Sequence, residues 1–277
     1  MKRLVLFIIV VLMLAAGTSH AQQVPNAPIG TTTQENSAAQ APNTPPMTPR
    51  EIALMRADIL MARKDYGGAA KAYQDLLKDD PKNGALLNKT GMAYQLNGDS
   101  DEAERFYKKA IRADKTSWNA INNLGSVEYG RERYGKAIKY YKKAIAGGDN
   151  LATVYSNLGY AYCGIKAYRL ALEHFSKALA LDPEVFERRG SVGSIVQQRT
   201  ATDPATLHFL VAKSFAKTGD AERAARFLKM ARDEGYKNLL SAQTDPDFAK
   251  VIKDPRVQEV LRVRPPYAEP PAKPVQN

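Results

Sequence analysis

Residues 152–183 read ATVYSNLGYAYCGIKAYRLALEHFSKALALDP. Tyr155, Leu158-Gly159 and Tyr162 stand before a polar break at Gly164-Ile165-Lys166, and Ala171, Phe175, Ala178 and Pro183 stand after it. Apolar and small residues three or four apart on both sides of the break mark two helical faces. Pro183 ends the second, because proline lacks the amide hydrogen that the next turn would need.

The same register returns at 34-residue steps toward the N terminus. One step back gives Ile121, Leu124-Gly125, Ala137, Tyr141 and Ala144. Another gives Leu87, Gly91, Tyr94, Ala103, Tyr107 and Ala110, and a third gives Leu60, Ala69, Tyr73 and Pro81. The polar break recurs with them, as Arg131-Glu132-Arg133, Asn97-Gly98-Asp99 and Arg63-Lys64-Asp65. In this pattern the chain resembles the tetratricopeptide-repeat (TPR) family, whose units carry a large apolar residue, Leu-Gly, Tyr, Ala, Phe or Tyr, Ala and Pro at these spacings. The resemblance implies an all-α fold, a TPR-type α-solenoid of antiparallel helix pairs with about five repeats and disordered termini.

Physical chemistry supports the pattern. Glycine inside a helix costs about 1 kcal/mol relative to alanine. Gly91, Gly125 and Gly159 repeat that cost at one register, with Ala103, Ala137 and Ala171 on the facing helices. Close approach of two helices is the reason such a cost recurs. A single pair cannot bury its apolar face, so neighbouring units must stack.

The units span 50–83, 84–117, 118–151 and 152–183. Their departures from the pattern are specific. Arg56-Ala57 replaces Leu-Gly in the first, so that unit reads as a cap, and Glu128 replaces Tyr in the third, beside Tyr129. Lys115 and Asp149 stand where a closing proline is expected. An insertion, 184–204, follows the fourth unit and holds Val185, Phe186, Val192, Ile195 and Val196, which suggests that it packs against the array. Its two candidate forms are a continuation of the fourth unit's second helix and a short extra helix. Asp203-Pro204 is a helix start signal, and a fifth unit, 205–236, follows with Val211-Ala212, Phe215, Ala224, Leu228 and Ala231. Two further starts, Asp245-Pro246 and Asp254-Pro255, belong to a helical C-terminal cap at 237–263. This closing segment is similar to one that follows many bacterial TPR arrays.

Outside the array the composition changes. Lys2 and Arg3, the apolar run Leu4–Gly17 and Ser19-His20-Ala21 form an export signal, 1–21, with cleavage expected after Ala21. The run is short for a spanning helix, although an uncleaved anchor in the inner membrane is the alternative. No second such run follows, so no transmembrane segment is expected after cleavage. Residues 22–47 are rich in Gln, Pro, Thr, Ala, Ser and Asn, and 264–277 are rich in proline; both read as disordered. The expected location is periplasmic or secreted. Cys163 is the single cysteine, so no intramolecular disulfide is available and stability must come from packing.

Where a ligand would bind follows from helix geometry. At about 100° per residue, positions 2, 5, 9, 12 and 13 of a unit share one arc of the first helix. The resemblance places that arc on the concave side. The groove candidates are Asn88, Met92, Gln95, Asn122, Ser126, Tyr129, Ser156, Tyr160, Phe209 and Lys213. Amides give and accept backbone hydrogen bonds at once, and tyrosine offers flat apolar area at low entropic cost. The expected partner is therefore a protein or peptide. The net charge of +11 adds a second surface, with Lys109, Lys143 and Lys177 at one register of the second helices and Lys108 and Lys142 beside two of them. That basic convex face is the alternative contact, with an acidic polymer or an anionic envelope surface.

Catalysis is not expected. His174 and His208 are the only histidines after residue 21, they lack metal-ligand spacing, and they read as packing residues. There is no glycine-rich phosphate loop, nucleophile elbow or paired-carboxylate signature, no cofactor is implied, and nothing resembles a nucleic-acid reader. The expected function is a non-catalytic interaction scaffold in the cell envelope. By analogy with exported bacterial TPR proteins, its setting is envelope assembly, secretion or pilus biogenesis.

Overall fold

A computed structural model of the chain describes residues 46–148, 151–187 and 203–263. The export signal, nearly all of the 22–47 segment, the 264–277 tail and most of the insertion lie outside them. The described residues are all-helical, without a strand.

Ten helices form five antiparallel pairs. They are α1 (Pro49–Ala62) with α2 (Tyr66–Asp79), α3 (Gly84–Asn97) with α4 (Ser100–Ala113), and α5 (Trp118–Gly130) with α6 (Tyr134–Ala146). Then come α7 (Ala152–Gly164) with α8 (Tyr168–Leu181), and α9 (Pro204–Thr218) with α10 (Ala221–Asp233). Each helix packs on the next along the chain, and α8 packs on α9 across the insertion. Consecutive first helices also touch, α3 on α5 and α5 on α7. This is a TPR-type α-solenoid.

Local chemistry sets the boundaries. Thr48 opens α1 with a reciprocal cap: Glu51 N–H donates to its hydroxyl, and Glu51 Oε2 accepts from Thr48 N–H at 2.8 Å. Asp65, Asn83, Asp203 and Asp220 accept from the first-turn amides of α2, α3, α9 and α10. Between the helices of each of the first four pairs one residue turns left-handed, at Lys64, Gly98, Glu132 and Lys166, each 34 residues from the last. Gly219 does the same in the fifth pair.

The recurring small residues are where two helices meet. A Cβ at Gly91 would stand 2.6 Å from Tyr107, at Gly125 2.7 Å from Tyr141, and at Gly159 2.5 Å from Phe175. Ala103, Ala137 and Ala171 are fully buried. The departure at Glu128 is explained by two arginines. Its carboxylate is buried and lies 3.9 Å from Arg131 and 3.6 Å from Arg133.

The insertion does not prolong α8, which ends at Leu181. Its described beginning turns back into the core. Phe186 packs edge-on against Phe175, Tyr160 and Phe215, and Val185 is buried. At the far end, η1 (Leu239–Gln243), η2 (Pro246–Phe248) and α11 (Pro255–Arg262) cover α9 and α10. The start at Asp245-Pro246 yields only a single 3-10 turn. Phe248, Val251 and Val257 from this segment are almost wholly buried, closing the apolar end of the fifth pair.

Candidate functional site

The arc expected to face a ligand is, for the most part, inside the protein. Gln95, Asn122, Ser126, Tyr129, Ser156, Tyr160 and Phe209 are buried. Each has a partner there. Tyr107 hydroxyl donates to Gln95 Oε1 at 2.7 Å, and Tyr141 hydroxyl donates to Ser126 Oγ at 3.2 Å. Tyr160 meets Phe175 edge-on, Tyr129 meets Tyr134 edge-on, and Phe209 stacks on Tyr236 with centroids 4.3 Å apart. Ser156 Oγ donates to the Thr153 carbonyl at 3.0 Å. The reading of these seven as exposed groove residues is thus corrected. A helical wheel treats one helix alone, whereas here each first helix is enclosed by its own second helix and by its neighbours.

Successive first helices share a row of amides. Asn123 Nδ2 donates to Asn88 Oδ1 at 3.1 Å, Asn122 Nδ2 donates to Asn123 Oδ1 at 3.3 Å, and Asn157 Nδ2 donates to Asn122 Oδ1 at 3.0 Å. The row runs through α3, α5 and α7. Asn123 and Asn157 are equivalent by repeat register and were absent from the sequence-derived arc, which took the neighbouring position. At the N-terminal side, Lys89 Nζ binds both Asp58 oxygens, at 2.7 and 2.8 Å, and Tyr73 hydroxyl donates to the same carboxylate at 2.5 Å. The row is mostly buried, so its role is to hold units in register.

Three predicted residues keep access to solvent. Asn88 and Met92 are half-buried and touch one another, Asn88 Nδ2 lying 3.6 Å from the Met92 sulfur. Lys213 lines a cleft of about 800 Å³ between α8 and α9. The cleft is floored by Tyr168, Leu172 and Leu210, with Lys217 and Asp247 on its wall. Lys213 Nζ lies 2.6 Å from Asp245 and 3.1 Å from Asp247, and Lys217 lies 3.3 Å from Asp247. Burial works against the Lys213 charge; its hydrogen bonds to Asp245 and Asp247 outweigh that and raise its pKa. The cleft thus sets apolar side chains beside a fixed, charged wall.

Family models for the tetratricopeptide repeat match residues 54–118 and 119–184. The chain is a tetratricopeptide-repeat protein. A curated relative, the DnaJ protein P58IPK homolog of Arabidopsis thaliana, is 39% identical over 61 residues. That match covers 22% of this chain and 13% of the relative, so the chain spans a small part of that protein's length. Among solved structures, MamA is 25% identical with a TM-score of 0.45, covering 65% of this chain and 95% of that one. PilF of Pseudomonas aeruginosa is 19% identical with a TM-score of 0.49, covering 76% and 86%.

Tetratricopeptide repeats are generally non-catalytic interaction scaffolds, and the remaining reactive side chains of this TPR protein have packing partners. His174 stacks on Tyr162 and Tyr155, and burial first, then Lys177, lowers its pKa. His208 Nδ1 faces Glu234. Burial pushes the Cys163 thiol well above its usual range, which disfavours the thiolate. Among the described residues no group of His, Cys, Asp and Glu is arranged to hold a metal ion, and no helix is long and apolar enough to cross a membrane.

Proposed function

We propose that this TPR protein is a non-catalytic scaffold of the cell envelope that holds a protein or peptide partner in the cleft between α8 and α9. One observation carries the reading. The cleft is the place where a predicted contact residue, Lys213, stays accessible beside an apolar floor of Tyr168, Leu172 and Leu210. The Asp245 and Asp247 carboxylates hold the Lys213 ammonium in place, so little side-chain entropy is lost on binding. Export rests on the N-terminal sequence, with cleavage after Ala21, and places the scaffold in the periplasm or outside the cell. Envelope assembly, secretion or pilus biogenesis is the setting that this location favours.

A photo-crosslinking residue placed at Leu172 or Lys217 tests the site. Each is expected to trap a polypeptide in the native envelope, whereas the same residue at Lys237, outside the cleft, traps none. Leu172→Arg is expected to abolish the product at Lys217. Equal trapping from Lys237 overturns the assignment. Export is checked separately by mass spectrometry of the mature chain, which is expected to begin at Gln22.

A further inference from the structure

The second helices differ in one respect that their packing does not require. α2, α4, α8 and α10 all carry at least one carboxylate, but α6, YGKAIKYYKKAIA, carries none. Its lysines, Lys136, Lys139, Lys142 and Lys143, are all exposed. By the 34-residue register they correspond to Glu102, Arg105, Lys108 and Lys109 in α4, and to Leu170, Glu173, Ser176 and Lys177 in α8. Those helices neutralise their own cations. Glu102 pairs with Arg105, Glu104 with Lys108, and Glu173 with Lys177 at 2.7 Å. No α6 lysine has a carboxylate partner among the described residues.

Folding alone gives no reason for this. At about 100° per residue the four lysines fall within an arc of about 120°, over about 10 Å of helix. Lys139 is three residues from Lys136 and Lys142 and four from Lys143, spacings at which like charges destabilise a helix. The helix dipole favours Lys142 and Lys143 near the C terminus. It disfavours Lys136 in the first turn, and Arg133 at the N-cap adds a further cation there. Lys142 lies 5.7 Å from the Tyr162 ring centroid, which gives one ammonium an internal contact and leaves the other three to solvent.

We propose that the outer face of α6 is a docking strip for an acidic segment of a partner polypeptide, with Lys136, Lys139 and Lys143 as its contacts. The width of the strip selects this occupant. The second helices on either side present exposed carboxylates, Asp101 on α4 and Glu173 on α8. A flat anionic membrane would press its headgroups against these as well as against the lysines. An acidic helix or extended segment fits along one helix and avoids them. Further, no large apolar side chain on α6 is exposed for insertion into lipid. The strip is independent of the α8–α9 cleft and stands or falls without it.

The test is fluorescence anisotropy with the full chain and a labelled helical peptide bearing glutamates at i, i+3 and i+7. Its glutamine counterpart is the control probe. Lys136→Glu/Lys139→Glu/Lys143→Glu is expected to weaken binding of the acidic peptide at least about tenfold. Lys229→Glu/Lys237→Glu/Lys253→Glu, with the same net charge change at exposed lysines elsewhere, is expected to leave it within about twofold. The glutamine versions of both triple variants, with circular dichroism, separate charge from fold. Equal loss in the two glutamate variants means that net charge alone binds the peptide, and overturns the strip. Binding of phosphatidylglycerol vesicles or inorganic polyphosphate that needs Lys136, Lys139 and Lys143, with no such dependence for the acidic peptide, also overturns it.

Discussion

Gly125 lies against Tyr141 so closely that a Cβ on the glycine would stand 2.7 Å from Tyr141 Cε1. Tyr141 is fully buried and its hydroxyl is held by Ser126, so the ring has no room to retreat. Gly125→Ala gains about 1 kcal/mol of helix propensity and incurs overpacking of about 1–3 kcal/mol. The variant is expected to be less stable by about 1 kcal/mol, read as a lower urea midpoint. Gly125→Ala/Tyr141→Leu is expected to recover part of the loss.

The left-handed turn residues give the opposite sign. Lys64, Glu132 and Lys166 have φ near +60°, where an L side chain is disfavoured and glycine is not. Glu132→Gly is therefore expected to stabilise the chain by about 0.5–1 kcal/mol. Gly98→Ala, at the same register, is expected to destabilise it by a similar amount. Thermal unfolding of the two variants side by side checks both signs.

Asn157 and Asn122 are joined across 35 residues by the 3.0 Å bond between Asn157 Nδ2 and Asn122 Oδ1. Asn157 has no solvent exposure, so its amide cannot turn to water if the acceptor is removed. Asn122→Ala is expected to cost about 1–3 kcal/mol. A double-mutant cycle with Asn157→Ala is expected to show a coupling energy of about 1 kcal/mol. A coupling near zero would show that the row does not fasten the third unit to the fourth.

Arg131, in the turn of the third unit, binds Glu104 and Asp101 of the second and lies over the buried Glu128 of its own. Lys108 and Arg131 hold the Glu104 carboxyl at about 2. Because the folded value is below the unfolded one, this contribution is present above about pH 4.5 and is lost as pH falls toward 2. Glu104→Gln is expected to lower stability at pH 7 and to flatten the acid limb between pH 4.5 and 2, measured by denaturation across that range. Arg131→Ala is expected to cost about 2 kcal/mol or more, since it removes the partner of Glu104 and Asp101 and leaves the buried Glu128 with Arg133 alone.

Most of the architecture was legible in the chain because a repeat states each packing rule several times. Gly91, Gly125 and Gly159 announced the close approaches, and Asp203-Pro204 announced the start of α9, since caps and small-residue contacts are local or periodic chemistry. The candidate binding surface was legible only in part. The helix wheel put Lys213 on the groove arc, and the structure leaves it accessible at the α8–α9 cleft. Ser126 and Tyr160 were not separable from ligand contacts, because their partners Tyr141 and Phe175 lie on another helix and the pattern does not say how completely helices enclose one another.

The amino-acid sequence by itself determined the helix pairs, their 34-residue step and the closing cap, because helix period, capping and glycine cost act within a few residues. The tertiary structure decided which polar side chains were spent inside. Asn122, Gln95 and Ser126 became internal fasteners, Glu128 became a buried anchor for Arg131 and Arg133, and Lys213 remained at a cleft that forms only where α9 packs on α8. Burial is a property of neighbours, and those neighbours come from the facing helix of the same unit, as for Gln95 and Ser126, or from the next unit, as for Asn122.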